Sequence, residues 1–280
     1  MKIAVLSGKG GTGKTFVSVN LAAAAGRAVY TDCDIEEPDG HLFFRPEKIS
    51  EEKVAVSIPS ADNSRCSGCR KCTEFCRFNA LALIRDNIYI FEDICHSCGG
   101  CVLLCPEKAL TEVRKEIGII RRGRSEETEI RTGILNTGEA SGVPVIRQLI
   151  TSLKDAGDIP VIIDCPPGSS CTVMESIKDA DYCILIAEPT IFGRYNLDMA
   201  YRLVRSFGKP TGVVLNKYTS GRDPSEDFCR ENDVNILASI PFDRDLGRLI
   251  SEGRIAVKED KKWEEVFSSL LRTVSKEADR

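Results

Sequence analysis

The sequence lacks a long apolar run. No stretch approaches the ~18 apolar residues that a membrane-spanning helix requires, and the first apolar run is too short for a secretory signal. Charge of one sign is also scarce, because the net charge of the 280 residues is only −4. The chain therefore has no large basic field of the kind that binds nucleic acid. We expect a cytoplasmic protein with no nucleic-acid partner and no membrane span.

Cysteine, in contrast, is abundant. The chain has 13 cysteines and no recognisable export signal, so metal ligands and free thiols explain them better than disulfides do. An odd number also cannot pair completely. The apolar share of 42% supports a sizeable core, and the length allows one large α/β domain with a small second unit. We therefore expect a reducing environment and a metal-binding function.

A glycine-rich segment follows the first predicted strand. Residues 8–15 match the pattern G-x-x-x-x-G-K-[ST], and a predicted helix over residues 14–25 follows, which is the context that a phosphate-binding loop needs. Backbone N–H groups of such a loop turn towards the phosphates, and the helix N-terminus adds a favourable dipole. Lys14 is expected to bind the β- and γ-phosphates, and the Thr15 hydroxyl is expected to bind Mg²⁺. The predicted nucleotide-binding residues are Gly8, Gly10, Gly11, Thr12, Gly13, Lys14 and Thr15.

The pattern C-x2-C-x2-C-x3-C occurs twice, 29 residues apart. It places Cys66, Cys69, Cys72 and Cys76 in the first copy and Cys95, Cys98, Cys101 and Cys105 in the second. This is the spacing of bacterial ferredoxins. Zinc is the competing interpretation because four thiolates suit it, but a zinc ribbon needs only paired C-x2-C motifs. The repeat therefore predicts two [4Fe–4S] clusters.

In the ferredoxins that this repeat resembles, the fourth cysteine of each run binds the other cluster. The resemblance implies one ligand set of Cys66, Cys69, Cys72 and Cys105, and a second set of Cys95, Cys98, Cys101 and Cys76. The sequence departs from the ferredoxin pattern at one point, since Pro106 follows Cys105 whereas Arg77 follows Cys76. We expect this difference to change hydrogen bonding near one cluster, and so its potential.

Predicted strands and helices alternate on both sides of the cysteine region. A turn or linker is predicted over residues 59–63, and a short hairpin joins residues 81–84 to 88–91. The alternation favours a doubly wound, mostly parallel α/β sheet interrupted by a small α+β ferredoxin domain. We expect an ATPase domain in two parts, residues 1–57 and 117–280, around an insert at residues 58–116.

The phosphate loop contains a second lysine, Lys9. With it, the loop resembles the deviant phosphate loop of the MinD/ParA/Mrp family, P-loop NTPases of the SIMIBI class. In that family the extra lysine reaches across a nucleotide-sandwich dimer to the partner's ATP. The resemblance implies that Asp34 is the switch I carboxylate that orients or deprotonates water. It also implies that Asp164 acts on Mg²⁺ through water, as the Walker B residue does.

Two further positions resemble the base-binding segments of the same family. Asn216 matches the adenine-reading asparagine, and Pro241, followed by Asp243, resembles the loop that packs on the base. Simpler interpretations stay open, because Asn216 could cap a strand end and Asp34 could be an ordinary loop acid. The roles of Cys33, Cys165 and Cys171 are also open.

The resemblance implies a Mg²⁺-dependent ATPase that forms an ATP-dependent dimer, either with itself or with a paralogue. The leading hypothesis is an ATP switch coupled to electron transfer through two clusters, with a redox protein or a metallocofactor-assembly protein as partner. One alternative is an ATPase for iron–sulfur or metallocofactor assembly. Another is a positioning ATPase with a structural ferredoxin module. A predicted C-terminal helix over residues 263–276 lacks a strongly basic face, which favours core packing over membrane contact.

Overall fold

The computed structural model describes residues 1–219, 221 and 223–278. Its strands are β1 (Lys2–Leu6), β2 (Val29–Asp32), β3 (Glu47–Ala61), β4 (Leu81–Ile84), β5 (Asn87–Ile90), β6 (Leu110–Ser125), β7 (Thr128–Leu135), β8 (Val161–Asp164), β9 (Tyr182–Ala187), β10 (Thr211–Tyr218) and β11 (Ile236–Pro241). Its helices are α1 (Lys14–Ala24), α2 (Gly40–Phe44), α3 (Lys71–Phe75), α4 (Gly100–Leu103), α5 (Val143–Ser152), α6 (Cys171–Ile177), α7 (Ile191–Ser206), α8 (Pro224–Glu231), α9 (Arg244–Ser251), α10 (Ala256–Glu259) and α11 (Lys261–Ala278). Short 3₁₀ helices cover Asn63–Arg65, Glu92–Ile94 and Leu153–Ala156.

Nine strands form one sheet in the order β11-β10-β9-β1-β8-β2-β7-β6-β3. The seven strands from β11 to β7 are parallel, and β6 and β3 add an antiparallel edge. Every residue of β2, β8 and β9 is buried, as expected for parallel strands covered on both faces. The prediction of a mostly parallel α/β sheet is confirmed.

Two apolar layers cover the faces of this sheet. One layer contains side chains of α5, α6 and α7, and the other contains side chains of α1 and α11. In the second layer the rings of Phe16 and Phe267 meet edge to face, with centroids 5.7 Å apart. Trp263, Phe267 and Val274 are all buried, so the predicted core packing of the C-terminal helix is confirmed. In the described part of the chain, no helix is long and apolar enough to cross a membrane.

The carboxyl ends of three central strands meet at one edge of the sheet. Val5 of β1 and Asp32 of β2 both lie beside Asp164 of β8 in the parallel register. The loops that follow these strands therefore converge, which is where ligands bind in open α/β sheets.

Strands β3 and β6 form a long antiparallel ribbon. Strand β6 pairs with β7 from Ser125 to Gly118, which lies opposite Leu135, the carboxyl end of β7. Beyond that point β3 and β6 continue to pair with each other. The ribbon therefore projects past the sheet at the edge that carries the converging loops, and it connects the sheet to the cysteine region.

The turn predicted from residue 59 is wrong in its first part. Pro59 lies opposite Glu112, and β3 continues to Ala61. A proline is tolerated there because β3 is an edge strand, where a missing N–H leaves no neighbouring strand without a partner. The limits predicted at residues 57/58 and 116/117 consequently fall inside continuous strands.

The cysteine region repeats its backbone structure as well as its sequence. The predicted hairpin is confirmed, since β4 and β5 pair antiparallel with Leu81 opposite Ile90. The outer end of the β3–β6 ribbon has the equivalent pairing. Leu110, which is 29 residues after Leu81, lies opposite Ala61, which is 29 residues before Ile90. Each cysteine loop thus follows a 3₁₀ turn and leads into a strand of an antiparallel pair, which is β4 with β5 in the first copy and β6 with β3 in the second. A small apolar cluster that includes Leu81 and Leu110 joins the two halves.

Candidate functional site

A cavity of about 860 Å³ opens where the loops after β1, β2 and β8 converge. This volume lies within the range of small-molecule and cofactor sites. The predicted residues that line it are Lys9, Gly10, Gly11, Thr12, Gly13, Lys14, Thr15, Asp34, Asn216 and Pro241. The two remaining predictions, Gly8 and Asp164, lie outside this lining. The tertiary structure thus brings segments from both halves of the chain to one site.

Two glycines of the phosphate loop are required by close contacts. A Cβ at Gly8 would lie 2.3 Å from the backbone oxygen of Asn196 in α7. Gly13 precedes α1 with φ +91°, and a Cβ there would lie 2.2 Å from Nδ2 of Asn216. The loop therefore packs tightly against two distant segments, and larger residues at these positions would displace it.

The loop also contains a buried hydroxyl that lacks a partner. Thr12 Oγ1 makes no hydrogen bond to any described residue, although the residue is only 2% exposed. A buried hydroxyl without a partner is costly, and this one belongs to a residue that lines the cavity. Asn216 Nδ2 donates to the Thr12 carbonyl oxygen at 2.7 Å. The adenine contact predicted for Asn216 stays a prediction, and its observed role is to support the loop.

Lys14 lies between two carboxylates. Its Nζ is 3.0 Å from Asp164 Oδ1 and 3.5 Å from Asp34 Oδ2. Burial favours the neutral amine, but Asp164 and then Asp34 outweigh burial and raise the pKa of Lys14. Tyr30 donates its hydroxyl to the other oxygen of Asp164 at 2.9 Å. The lysine is therefore cationic and connects the two predicted acidic residues.

Asp32 organises the loop that contains Asp34. Its Oδ1 accepts a hydrogen bond from the Asp34 N–H at 3.1 Å, and its Oδ2 accepts one from the Gly40 N–H at 3.0 Å. Both ends of the segment between β2 and α2 are thus held by one buried carboxyl. Burial, followed by the nearby charge of Asp164, raises the pKa of Asp32. Asp32 is a positioning residue, with no predicted contact to the nucleotide.

Asp39 lines the cavity, and Glu188 lies beside it in contact with Lys9. Neither residue was predicted from the sequence. Burial and the charge of Asp164 raise the pKa of Asp39, and a hydrogen bond from Thr15 opposes them. Glu188 follows β9 and binds two lysines, because its Oε2 lies 2.6 Å from Lys9 Nζ and its Oε1 lies 2.6 Å from Lys217 Nζ. No local motif marks either residue. The only usable signals were that Glu188 is an acid at the end of a predicted strand and that Asp39 is an acid in the loop after β2.

The outer wall of the cavity is formed by the loop after β11. Pro241 and Phe242 line it, and the Phe242 side chain is 62% exposed. Asp243 also lines the cavity, but its carboxylate caps α9 by accepting from the Asp245 and Leu246 N–H groups. The segment predicted to pack on a base therefore offers an apolar surface whose position is set by a helix cap.

The first predicted cysteine set lines a cavity of its own. Cys66, Cys69, Cys72 and Cys105 surround it together with Arg70, Lys71 and Glu107. Three cysteines come from one loop and the fourth comes from the other copy of the repeat, as the ferredoxin resemblance implies. The donor set is chemically suited to a [4Fe–4S] cluster. In the second set, Cys101 lies near Cys95 and Cys98, whose charges contribute to raising its pKa to about 11 after the larger effect of burial.

Further details of the backbone suit a sulfur-ligated group. The Ala80 N–H donates to Cys76 Sγ at 3.3 Å, and the Ala109 N–H donates to Cys105 Sγ at 3.2 Å. Hydrogen bonds to sulfur tune such clusters. Within the described residues, no three His, Cys, Asp or Glu side chains converge on a point that would hold a single metal ion. A four-iron cube is larger than one ion, so its ligands must stand further apart.

Most of the remaining cysteines are buried in the α/β part of the chain. Cys33, Cys165 and Cys183 belong to one apolar layer, and burial raises the pKa of each, that of Cys183 to about 12. Such thiols are unreactive. Cys183 is a fully buried residue of β9. Cys171, at the start of α6, is exposed.

Comparisons with known proteins agree with this architecture. The chain is 30% identical over 280 residues to Uncharacterized protein MJ0578 of Methanocaldococcus jannaschii, covering 96% of this chain and 95% of that one. It resembles the structure of the septum site-determining protein MinD with Mg-ADP from Pyrococcus horikoshii, with a TM-score of 0.61, 22% identity and coverage of 98% and 96% of the two chains. A 59-residue stretch is 37% identical to pyruvate synthase subunit PorD of M. jannaschii, covering 21% of this chain and 69% of that one.

The family assignment follows from a match along most of the chain. Residues 3–257 match the model of the CobQ/CobB/MinD/ParA nucleotide-binding domain. This span includes the phosphate loop, the predicted carboxylates Asp34 and Asp164, and the loop after β11. The predicted relationship to MinD and ParA is confirmed, and the chain belongs to the CobQ/CobB/MinD/ParA family of nucleotide-binding domains.

Proposed function

We propose that this protein is a dimeric, Mg²⁺-dependent ATPase that couples its nucleotide state to electron transfer through two [4Fe–4S] clusters. The observation that carries the proposal is the β3–β6 ribbon. It passes beside the switch-like loop between β2 and α2, because Gly118 of β6 lies opposite Leu135, whose N–H donates to the Ile35 carbonyl oxygen at 2.9 Å. It ends in the two cysteine loops. One continuous structural element therefore connects the proposed nucleotide sensor to the proposed redox centre.

The nucleotide site supports the ATPase half of the proposal. We assign Lys14 to the β- and γ-phosphate oxygens and the Thr15 hydroxyl to Mg²⁺. Asp164, whose Oδ1 lies 3.0 Å from Lys14 Nζ, is the candidate for the carboxylate that acts on the metal through water. Asp34, 3.5 Å from Lys14 Nζ, is the candidate for orienting the attacking water. The buried Thr12 hydroxyl, which has no hydrogen-bond partner among the described residues, fits a loop built to surround phosphate oxygens.

The surface beside the phosphate loop supports a dimer. Ile191, Phe192 and Tyr195 at the start of α7 are 79%, 77% and 71% exposed. The same helix touches the loop, because Asn196 packs against Gly8. Three large exposed apolar side chains on one helical turn are unusual for a monomer surface. We assign this face, together with Lys9, to the ATP-dependent contact with a second copy or a paralogue.

The cysteine region supports the redox half. Each of the two ligand sets takes three cysteines from one copy of the repeat and the fourth from the other. The backbone also adopts positive φ at equivalent positions of both copies, such as Gly68 and Ser97, or Asn79 and Lys108. Bound clusters supply one-electron transfer, and the chain supplies thiolates and N–H···S hydrogen bonds. The similarity of a short stretch to PorD is consistent with this assignment.

The geometry of the ribbon supports coupling. Seven residues of β3, from Ala55 to Ala61, lie beyond the sheet, a distance of roughly 24 Å at about 3.4 Å per residue. Ligand binding can shift a conformational equilibrium only as far as the two states differ in their affinity for the ligand. Movement of the loop that contains Asp34 has a direct route through α2 into β3. We infer that the nucleotide state changes the position of the cysteine region relative to a partner.

The proposal is tested by trapping the ATP state. Asp34→Ala should slow hydrolysis while leaving Mg²⁺-ATP bound, and Asp158→Ala, which removes an exposed acid elsewhere, is the control. Anaerobic redox titration followed by EPR should show a shifted potential or spectrum for at least one cluster in the trapped form. Identical potentials, spectra and partner affinity in the ADP, ATP and trapped forms would exclude coupling. Transfer of cluster iron to an apo-acceptor would instead favour the assembly alternative.

A further inference from the structure

The two cysteine loops carry opposite charge. Residues 62–79 contain four basic and two acidic residues, whereas residues 91–108 contain one basic and three acidic residues. The four basic residues of the first loop are Arg65, Arg70, Lys71 and Arg77, and all are exposed. Because the loops share one backbone structure, this difference lies in the side chains alone.

Two of the basic residues lie at the mouth of the first ligand set. Arg70 precedes α3 and Lys71 begins it, and both line the cavity that contains Cys66, Cys69 and Cys72. One acid, Glu107, lines the same cavity. Within the described part of the chain, neither Arg70 nor Lys71 is in an ion pair shorter than 4.0 Å. Their charges therefore face solvent and are available to a partner.

The equivalent positions in the second loop are neutral and half-buried. Gly99 and Gly100 correspond to Arg70 and Lys71. The ring of Phe75 lies over Gly100, because a Cβ there would come within 2.1 Å of it. On the same side, the Phe78 ring stacks on His96 with centroids 3.7 Å apart. Phe78 lies two residues after Cys76, and His96 directly follows Cys95, so this aromatic pair lies beside ligands of the second set, whereas Arg70 and Lys71 line the first.

We infer that the mouth of the first cysteine set is the docking surface for a redox protein whose own docking face is acidic. The inference rests on the proposed function, since it assumes that the first set holds a cluster. It adds which of the two clusters faces the partner and what charge that partner carries. Complementary charge around a docking site raises the association rate and selects the partner.

The test measures binding with probes of known charge. Anaerobic holoprotein is titrated with an acidic flavodoxin at low and high ionic strength, and with cytochrome c as a basic probe. We expect flavodoxin to bind at low salt and to weaken as salt screens the charges. The variant Arg70→Glu/Lys71→Glu should weaken flavodoxin binding by at least about tenfold and strengthen cytochrome c binding.

A matched control separates this surface from net charge. Lys154→Glu/Lys261→Glu makes the same change in charge at two exposed lysines of the ATPase part, and it should leave the Kd for flavodoxin within about twofold. Equal weakening in both variants would overturn the inference, as would salt-independent binding of the unmodified protein. If a variant fails to fold, the salt dependence of flavodoxin binding to the unmodified protein still tests the inference. A preparation without about eight irons per chain would instead overturn the proposed function.

Discussion

Lys9 forms an ion pair with Glu188 of its own chain, with Nζ and Oε2 2.6 Å apart. The other oxygen of Glu188 binds Lys217, whose Nζ also donates to the Gly11 carbonyl oxygen at 2.8 Å. Burial acts to raise the pKa of Glu188, but Lys217 and Lys9 outweigh it, so the net shift is downward. The lysine that family resemblance assigns to the partner's ATP is thus held within its own subunit in this structure.

We predict that Glu188→Gln promotes ATP-dependent dimerisation. Removing the carboxylate releases Lys9 for the partner's phosphates, and a partly exposed ion pair is worth up to ~1 kcal/mol. The dimer dissociation constant with a non-hydrolysable ATP analogue should therefore fall by about two- to fivefold, as measured by sedimentation velocity.

The matched control for this prediction is Glu51→Gln. Glu51 pairs with Arg121 across β3 and β6, at the opposite end of the sheet from β9 and β10, and its loss should leave dimerisation unchanged. A Glu188→Gln protein that dimerises more weakly than the parent would show that Glu188 positions Lys9 for the dimer rather than withholding it.

The two lysines of the phosphate loop should have separable effects. Lys14→Ala should abolish tight ATP binding, because it removes the buried charge that faces the phosphates and leaves Asp164 without its partner. Lys9→Ala should leave ATP binding to the monomer largely intact yet block ATP-dependent dimerisation. Nucleotide titration and sedimentation of the same samples measure both properties. If the Lys9→Ala protein dimerises with ATP and hydrolyses it normally, the cross-subunit role assigned to Lys9 is wrong.

Iron content tests the two ligand sets. Anaerobically prepared protein should hold about eight irons and eight sulfides per chain, the sum of two four-iron cubes. Cys105→Ser should perturb the cluster bound by the first loop, and Cys76→Ser should perturb the cluster bound by the second, because each fourth ligand crosses to the other copy. Saturation with only one or two zinc ions per chain would contradict the ferredoxin interpretation.

A glycine at the base of the ribbon should be essential for stability. A Cβ at Gly118 would lie 2.3 Å from the backbone oxygen of Ile134 in β7, so Gly118→Ala must separate β6 from β7. We expect it to lower the free energy of unfolding by about 1–3 kcal/mol. Gly247→Ala in α9 meets no atom within 4 Å and should be neutral or stabilising. Chemical denaturation compares the two variants, and equal stability would contradict the contact.

Local patterns in the sequence predict much of the chemistry of this protein. The phosphate loop, the parallel strands and the two-copy cysteine spacing all depend on residues that lie close together in the chain. Short apolar runs mark where the strands end, so the sequence alone places Asp32 and Asp164 at strand ends and Asp34 in the loop that follows. The β4–β5 hairpin is predictable for the same reason, because its turn and both strands are contiguous.

Only the tertiary structure decided which distant groups meet. Lys9 and Glu188 are far apart in the chain, and their ion pair depends on β9 lying beside β1. Asn196 and Asn216 pack against glycines of the phosphate loop through equally distant contacts. The turn predicted at Pro59 is wrong, because an edge strand accepts a proline that local rules assign to a turn. The local sequence determined which residues are candidates for the chemistry, and strand pairing determined the distances between them, because long-range contacts depend on the whole sheet and not on neighbouring residues.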